Sequence, residues 1–324
     1  MGSRDAIDLP PGVTRVNRGA RCPIALVEPA VAGHARVTPM SAPTVAWFDG
    51  ALVPFADARV PIEDRGLQFG ESLYEVVAVS DGEPRLLAQH AKRMSESAKL
   101  LGIESGVPLP ERWQELTGEL LRRERLVEAL LIAQVTGGTA PRAHLPAEPP
   151  EPSFFAYLRP FRFPRAEEVR RGIRAITRPD VRWALSDLKT SMLLPAVMAR
   201  REAAARGAAE ALFVGEDGNV REGAASNVFL IERDRLLTPA RSHHLLPGLT
   251  GPLVEGLARR LGLEVGAAEI PVERLLRAGE VFVTSTTLLV MPVVEIDGHA
   301  IGAGCPGPRG EALGALLREA WKLD

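Results

Sequence analysis

The stretch ALFVGEDGNVREGAASNVF, Ala211 to Phe229, decides the fold. Two apolar runs flank an Asp-Gly pair, and Asp-Gly between alternating apolar residues signals a β-hairpin. A type I′ turn needs positive φ at both central positions, which Asp and Gly tolerate. Three further segments repeat the pattern: VAWFDGALV at 45–53, VVAVSDGEPRLL at 76–87 and VVEIDGHAI at 293–301. Helical periodicity fills the intervals. LLAQHAKRMSESAKLLG at 86–102 puts Leu87, Ala91, Met94, Ala98 and Leu101 on one face and stops at Gly102. PERWQELTGELLRRERLV at 110–127 is a second helix. PAVMARREAAARG at 195–207 is a third, opening near a proline. LTGPLVEGLARRLG at 249–262 is a fourth, with Thr250 as its expected N-cap. Hairpins mixed with helices define an α/β protein of the mixed α+β kind and exclude a doubly wound parallel sheet.

The bulk properties narrow the function. With 324 residues the chain has room for two domains at roughly 150 residues each. It is 46% hydrophobic and 25% charged, the balance of a globular protein with a substantial core. A net charge of −2 offers no basic face for nucleic acid. Two distant cysteines make no disulfide framework, and no His/Cys cluster suggests a metal. No apolar run approaches a membrane span, so a cytoplasmic, reduced protein is expected. Residues 1–40 lack periodicity and read as a flexible extension, or as an upstream start ahead of Met40. The proline-rich LPAEPPEPSFFAYLRPFRFPRAEEV at 145–169 marks a boundary. It separates a smaller N-terminal α/β domain, 41–160, from a larger C-terminal domain, 161–324.

Lysine is scarce. The chain has four, Lys92, Lys99, Lys189 and Lys322, and every other Lys/Arg position is arginine. Lys189, in RWALSDLKTSMLLPAVMARREAAARG, sits between a strand-like segment and an apolar helix start. A partly desolvated lysine amine is a nucleophile towards carbonyls, whereas a guanidinium stays protonated and forms no Schiff base. A surface loop lysine is the plain alternative. Glu222 precedes the small residues of GAASN, where a flat ligand can approach the backbone, though a turn glutamate reads as well. LLPGLTG runs into a helix N-terminus, a ready anion site. Thr284, Ser285, Thr286 and Thr287 cluster hydroxyls at a strand end. Arg93 borders the buried stripe of its helix. Arg142 and His144, two apart on an extended segment after a Gly-rich turn, point the same way and are able to grip one carboxylate.

In their order and spacing these segments resemble the fold-type IV pyridoxal-phosphate enzymes, and within them the D-amino-acid aminotransferases. The resemblance rests on EDRGLQFGESLYEVVAV, HAKRM, TGGTAPRAH, SDLKTSMLLPAVMARREAAARGAAEALF, VREGAASNVF, LPGLT and VFVTSTT, and covers about residues 45 to 320. It implies two α/β domains with pyridoxal 5′-phosphate in the interdomain cleft, and a homodimer. Lys189 would be the Schiff-base lysine and proton shuttle. Glu222 would pair with the pyridine nitrogen. Arg93, Leu249, Thr250, Ser285 and Thr286 would hold the phosphate, and Leu246 would pack on a ring face. Tyr74, Arg142 and His144 would bind the substrate carboxylate, the last two across the dimer interface. The implied reaction is ping-pong transamination between a D-amino acid, such as D-alanine, and a 2-oxo acid, such as 2-oxoglutarate. Branched-chain L-amino-acid aminotransferase, (R)-amine transaminase and aminodeoxychorismate lyase are the alternatives of the same fold. The run GAASN carries fewer hydroxyls than this family's usual pattern.

Overall fold

The structure is a computed structural model that describes residues 42–323; the expectation for residues 1–40 lies outside them. Two sheets organise the described chain. The first has six strands in the spatial order Ala51–Pro54, Val45–Phe48, Ser153–Pro160, Ala129–Thr136, Ser72–Ser80, Glu83–Pro84. All its pairings are antiparallel. The second runs Glu264–Ala268, Arg235–Pro239, Asn227–Glu232, Glu280–Ser285, Leu289–Ile296, Ile173–Pro179, Glu210–Val214, Val220–Gly223, with His299–Ala300 paired to Leu289–Ile296. Three of its pairings are parallel, so it is a mixed sheet.

The hairpins follow the turn chemistry of the sequence, with one difference. Asp49–Gly50, Asp81–Gly82 and Asp297–Gly298 all have positive φ at both residues, as a two-residue primed turn requires. In the fourth unit the strands end at Val214 and resume at Val220, leaving a five-residue loop. There Gly218 alone takes the left-handed conformation, φ 76°. The Gly218 amide donates to the Gly215 carbonyl at 2.9 Å, which makes a tight turn closed by a left-handed glycine.

Burial explains the strand periodicity. On Asn227–Glu232, Val228 and Leu230 enter one apolar cluster while Phe229 and Ile231 enter another on the opposite face. Both faces of this sheet are therefore covered, and side chains alternate between two cores. The helices Thr250–Arg260 and Pro308–Ala320 supply Val254, Ala258, Leu313 and Leu317 to the second of these. The first sheet packs its inner face on the helices Leu87–Leu101 and Pro110–Glu124, through Met94, Trp113, Leu116 and Leu120. Each such buried side chain contributes about 1.5–3 kcal/mol.

The proline-rich stretch forms the strand Ser153–Pro160, a short irregular segment and the helix Ala166–Arg171. Phe163 within the irregular segment is buried in the core. Beyond the core, the Ser80 hydroxyl donates to the Trp321 carbonyl at 2.7 Å, tying the C-terminal helix end to the first sheet. Among the described residues no helix is long and apolar enough to cross a membrane, and no group of three His, Cys, Asp or Glu is placed to hold a metal.

Candidate active site

Lys189 lies on the segment between Pro179 and Leu194, and this segment pairs with the start of Ser72–Ser80. The Tyr74 amide donates to the Lys189 carbonyl at 2.9 Å, and Leu73 bridges to Thr190. The Ser72 and Ser191 hydroxyls are hydrogen-bonded, and Gln134 Nε2 donates to Ser72 Oγ at 3.3 Å. The backbone on both sides of Lys189 is thus fixed to a rigid strand. Its Nζ stands 4.4 Å from the centroid of the Tyr74 ring, half-buried. Among the described residues no carboxylate pairs with it. A cation held by an aromatic face keeps its amine open to a ligand, where an ion pair would consume it.

Glu222 is 4% exposed. Its carboxylate accepts from Arg182 Nη1, from Asn227 Nδ2 at 3.1 Å and from the Leu246 amide at 3.0 Å. Burial pushes the carboxyl up to about 7, against Arg182 and the Leu246 amide, which pull it down, and Lys189, whose charge also reaches it. Arg182 in turn is clamped by Asp180, with Nε 2.9 Å from Oδ1 and Nη2 2.8 Å from Oδ2, and stacks 4.5 Å over the Phe213 ring. Glu210 and Ser226, both buried, support this turn from behind, Ser226 Oγ donating to Glu210 Oε2 at 2.9 Å. A Cβ on Gly223 would overlap Ser226 Oγ, so the position is restricted to glycine.

Facing them is the end of the helix Thr250–Arg260. Thr250 is not its N-cap: Leu249 holds that position with φ −86° and ψ −22°, and no side chain caps the helix. A side-chain cap needs the extended conformation, which Leu249 lacks, and Thr250 is the first helical residue, its side chain buried. The correction strengthens the anion-binding property, since the terminal N–H groups have no side-chain oxygen competing for them. Gly248 lets this turn approach Asn227, whose Oδ1 would overlap a Cβ there.

Arg93 reaches the same turn, Nη1 donating to the Pro247 carbonyl at 2.8 Å. Its other face is held by Glu75, with Nε 2.7 Å from Oε1 and Nη2 2.7 Å from Oε2. His90 Nδ1 lies 2.6 Å from Glu75 Oε2. Burial tends to raise the Glu75 carboxyl, but Arg93 and His90 outweigh it and hold it at about 2. Burial also depresses His90, with Glu75 opposing. A neutral imidazole beside an ionised carboxylate carries its proton on Nδ1 and donates it. Ser285 Oγ accepts from the Leu288 amide at 3.0 Å and sits 3.2 Å from Thr287 Oγ1, so Ser285 is partly engaged in its own turn. Thr286, half-buried, follows it in the same turn. Thr284 Oγ1 is buried without a hydrogen-bond partner among the described residues, opposite Asn227 in register.

Arg142 and His144 belong to a different corner. Arg142 Nη1 donates to Gln68 Oε1 at 3.1 Å, and His144 packs on Phe69 with ring centroids 5.4 Å apart. None of these contacts joins them to Lys189, Tyr74 or Glu222 of their own chain.

Sequence reasoning therefore located Lys189, Tyr74, Glu222, Leu246, Arg93, Leu249 and Thr250 around connected turns. It missed Arg182, Asn227, Glu75, His90, Glu210 and Ser226. Two of these had a legible signal. Glu75 is a carboxylate inside the apolar run SLYEVVAVS, and such a group requires cationic partners. His90 and Arg93 are three apart on one helix face, the spacing that lets both reach it.

A half-buried amine on a mixed two-sheet scaffold, a buried carboxylate and an uncapped helix end with an arginine define an enzyme class that works on carbonyl compounds through a phosphorylated group. Comparison with known proteins makes this specific. Residues 72–296 match the family described as amino-transferase class IV. D-alanine aminotransferase of Bacillus licheniformis is 37% identical over 261 residues, 81% of this chain and 91% of that protein. The enzyme of the same name from Staphylococcus epidermidis is 34% identical over 265 residues, 82% of this chain and 93% of that one. Among solved structures, a branched-chain amino acid aminotransferase from T.th., complexed with N-(5′-phosphopyridoxyl)-L-glutamate, superimposes with a TM-score of 0.79 at 28% identity, covering 86% of this chain and 94% of that one. The holo, PLP-form branched-chain aminotransferase of Thermobaculum terrenum gives 0.78 at 25% identity, over 87% and 95%. The chain belongs to the class IV aminotransferases.

Proposed function

We propose that this protein transfers an amino group between a D-amino acid, such as D-alanine, and a 2-oxo acid, such as 2-oxoglutarate, using pyridoxal 5′-phosphate. The observation that carries the reading is Lys189 Nζ, half-buried on Tyr74 with no described carboxylate partner, in one site with the buried Glu222 carboxylate. The donor set fits the cofactor: an amine for its aldehyde, Glu222 for its ring nitrogen, and Arg93 with the open N–H groups after Leu249 for its phosphate. Ser285 and Thr286 complete the phosphate side, and Leu246 lies against a ring face. The bound cofactor supplies an aldehyde that exchanges amines and a ring that takes up the electron pair left when a Cα proton departs.

The chain's residues do the rest. Lys189 Nζ takes the substrate Cα proton and returns it, the general-base role that a lysine fills when partly desolvated. Glu222 stabilises a proton on the facing nitrogen, with Arg182 and Asn227 fixing its two oxygens. Tyr74 positions Lys189 and, with Arg142 and His144, binds the substrate carboxylate. The last two act from a second copy of the chain, in a homodimer. An apolar surface supports that assembly: Leu67, Leu145, Val181, Leu194 and Met198 are exposed. We take residues 41–160 and 161–324 as the smaller and larger domains, and the cytoplasm as the compartment.

The D-specific reading is supported by the identity to D-alanine aminotransferases. A branched-chain L-amino-acid aminotransferase is the second reading, favoured by the structural superpositions alone. Purified protein, loaded with pyridoxal phosphate, is mixed with 2-oxoglutarate and either D-alanine, L-alanine or L-leucine. Pyruvate from D-alanine alone is the expected result; transamination of L-leucine without D-alanine turnover would replace the first reading by the second.

A further inference from the structure

The corner that carries Arg142 and His144 is more heavily built than an exposed loop needs. Arg65 and Arg142 each place their guanidinium carbon 5.0 Å from the centroid of one ring, Phe69. Arg65 is 7% exposed. Its Nε lies 2.5 Å from Glu71 Oε2, and its remaining nitrogens donate to the carbonyls of Ala143 at 2.8 Å and His144 at 3.2 Å. Those two carbonyls belong to the residues directly after Arg142, so one buried guanidinium fixes the backbone of the whole segment. Gln68 is oriented as well. Its Nε2 donates to the Ile62 carbonyl at 3.0 Å, which turns Oε1 towards Arg142 Nη1 at 3.1 Å.

Arg142 is thus located by an aromatic ring and a neutral amide. Among the described residues no carboxylate pairs with it. The contrast with Arg65, neutralised by Glu71, and with Arg93, neutralised by Glu75, is chemical. An arginine held by an ion pair has spent its charge, whereas one held by a ring keeps most of its donors and its full charge for an incoming anion. Preorganising the group in this way lowers the ordering cost of binding.

We propose that Phe69 and Arg65 are positioning residues that hold Arg142 ready for a substrate carboxylate, and that they set affinity for carboxylates without taking part in the chemical step. The proposal rests on the reading of Arg142 as a carboxylate grip and extends it to two residues outside that grip.

The test uses the full-length, cofactor-loaded protein and the variants Phe69→Leu, Phe69→Tyr and Arg65→Met. Isobutyrate, a carboxylate with no amine to react, is titrated by calorimetry. Phe69→Leu keeps an apolar side chain but removes the π face, and the isobutyrate Kd should rise about three- to tenfold, the range expected for a lost cation–π contact. Phe69→Tyr should restore it. The KM for the amino acid should rise in step, with kcat at saturation and the half-reaction with isopropylamine within about twofold of the parent. An unchanged isobutyrate Kd in Phe69→Leu, or equal losses for isobutyrate and isopropylamine, overturns the proposal. Arg65→Met should act in the same direction, and if it does not fold Phe69→Leu decides alone. Isobutyrate binding is read independently of turnover. A parent that fails to transaminate D-alanine yet binds isobutyrate in a Phe69-dependent way sinks the D-amino-acid reading and leaves this one standing.

Discussion

Lys189 Nζ lies 4.4 Å from the centre of the Tyr74 ring, and the Tyr74 amide donates to the Lys189 carbonyl at 2.9 Å. One residue thus fixes both the backbone and the amine of the other. Lys189→Ala should fold with an unchanged melting temperature, since no described ion pair is lost. Borohydride treatment of the loaded variant should leave no cofactor mass on the peptide spanning residue 189, and turnover should fall by at least about a thousandfold. A retained adduct at that peptide region or normal transamination would remove Lys189 from its role.

Glu222 should make the cofactor-free protein less stable as pH rises. Burial raises its folded value from 4.5 to about 7, so the native state binds the extra proton between those values. The stability is fully present below about 4.5 and is lost as pH rises through about 7. The full swing is on the order of 3 kcal/mol. Urea unfolding from pH 5 to 8 should show parent stability falling relative to Glu222→Gln over this window. A difference independent of pH would mean that Arg182 keeps Glu222 ionised throughout.

Glu75 should behave in the opposite sense. Its folded value is held at about 2, below the ordinary 4.5, so its contribution is present above about 4.5 and is lost as pH falls towards 2. Glu75→Gln should cost on the order of 3 kcal/mol near pH 7 and progressively less below pH 4. It should also weaken pyridoxal-phosphate binding, because Arg93 loses the carboxylate that aims it at the Pro247 turn. Spectroscopic titration of the apoprotein should give a Kd about tenfold higher. Unchanged cofactor affinity would make the Glu75–His90–Arg93 cluster purely structural.

Gly248→Ala should disturb the carboxylate and the phosphate ends together. Its Cβ would overlap Asn227 Oδ1, and Asn227 Nδ2 donates to both Glu222 and the Leu246 carbonyl. Cofactor affinity should drop at least about tenfold while the far hairpins are unaffected. Titration with pyridoxal phosphate, alongside far-UV circular dichroism of the apoprotein, checks this. Normal affinity would show that the turn relaxes at no cost.

How much of this was legible follows from the range of the forces. Local chemistry wrote the Asp-Gly turns, the stop at Gly102 and the scarce lysine at 189, since each depends on the conformational or chemical limits of a few neighbouring residues. The same locality explains the miss at Thr250. Its residue type suits a cap, but the preceding turn, wedged against Asn227 through Gly248, sets Leu249 in a helical conformation first.

Local pattern and residue chemistry were enough for a mixed α+β chain with a reactive lysine and a carboxylate beside small residues. What each charge faces was assigned only by the folded arrangement: Arg182 on Glu222, forty residues away, Arg93 on Glu75, and Arg142 on a ring instead of a carboxylate. Ion pairing is set by distance and burial in space, and neither is encoded in any short window of the chain.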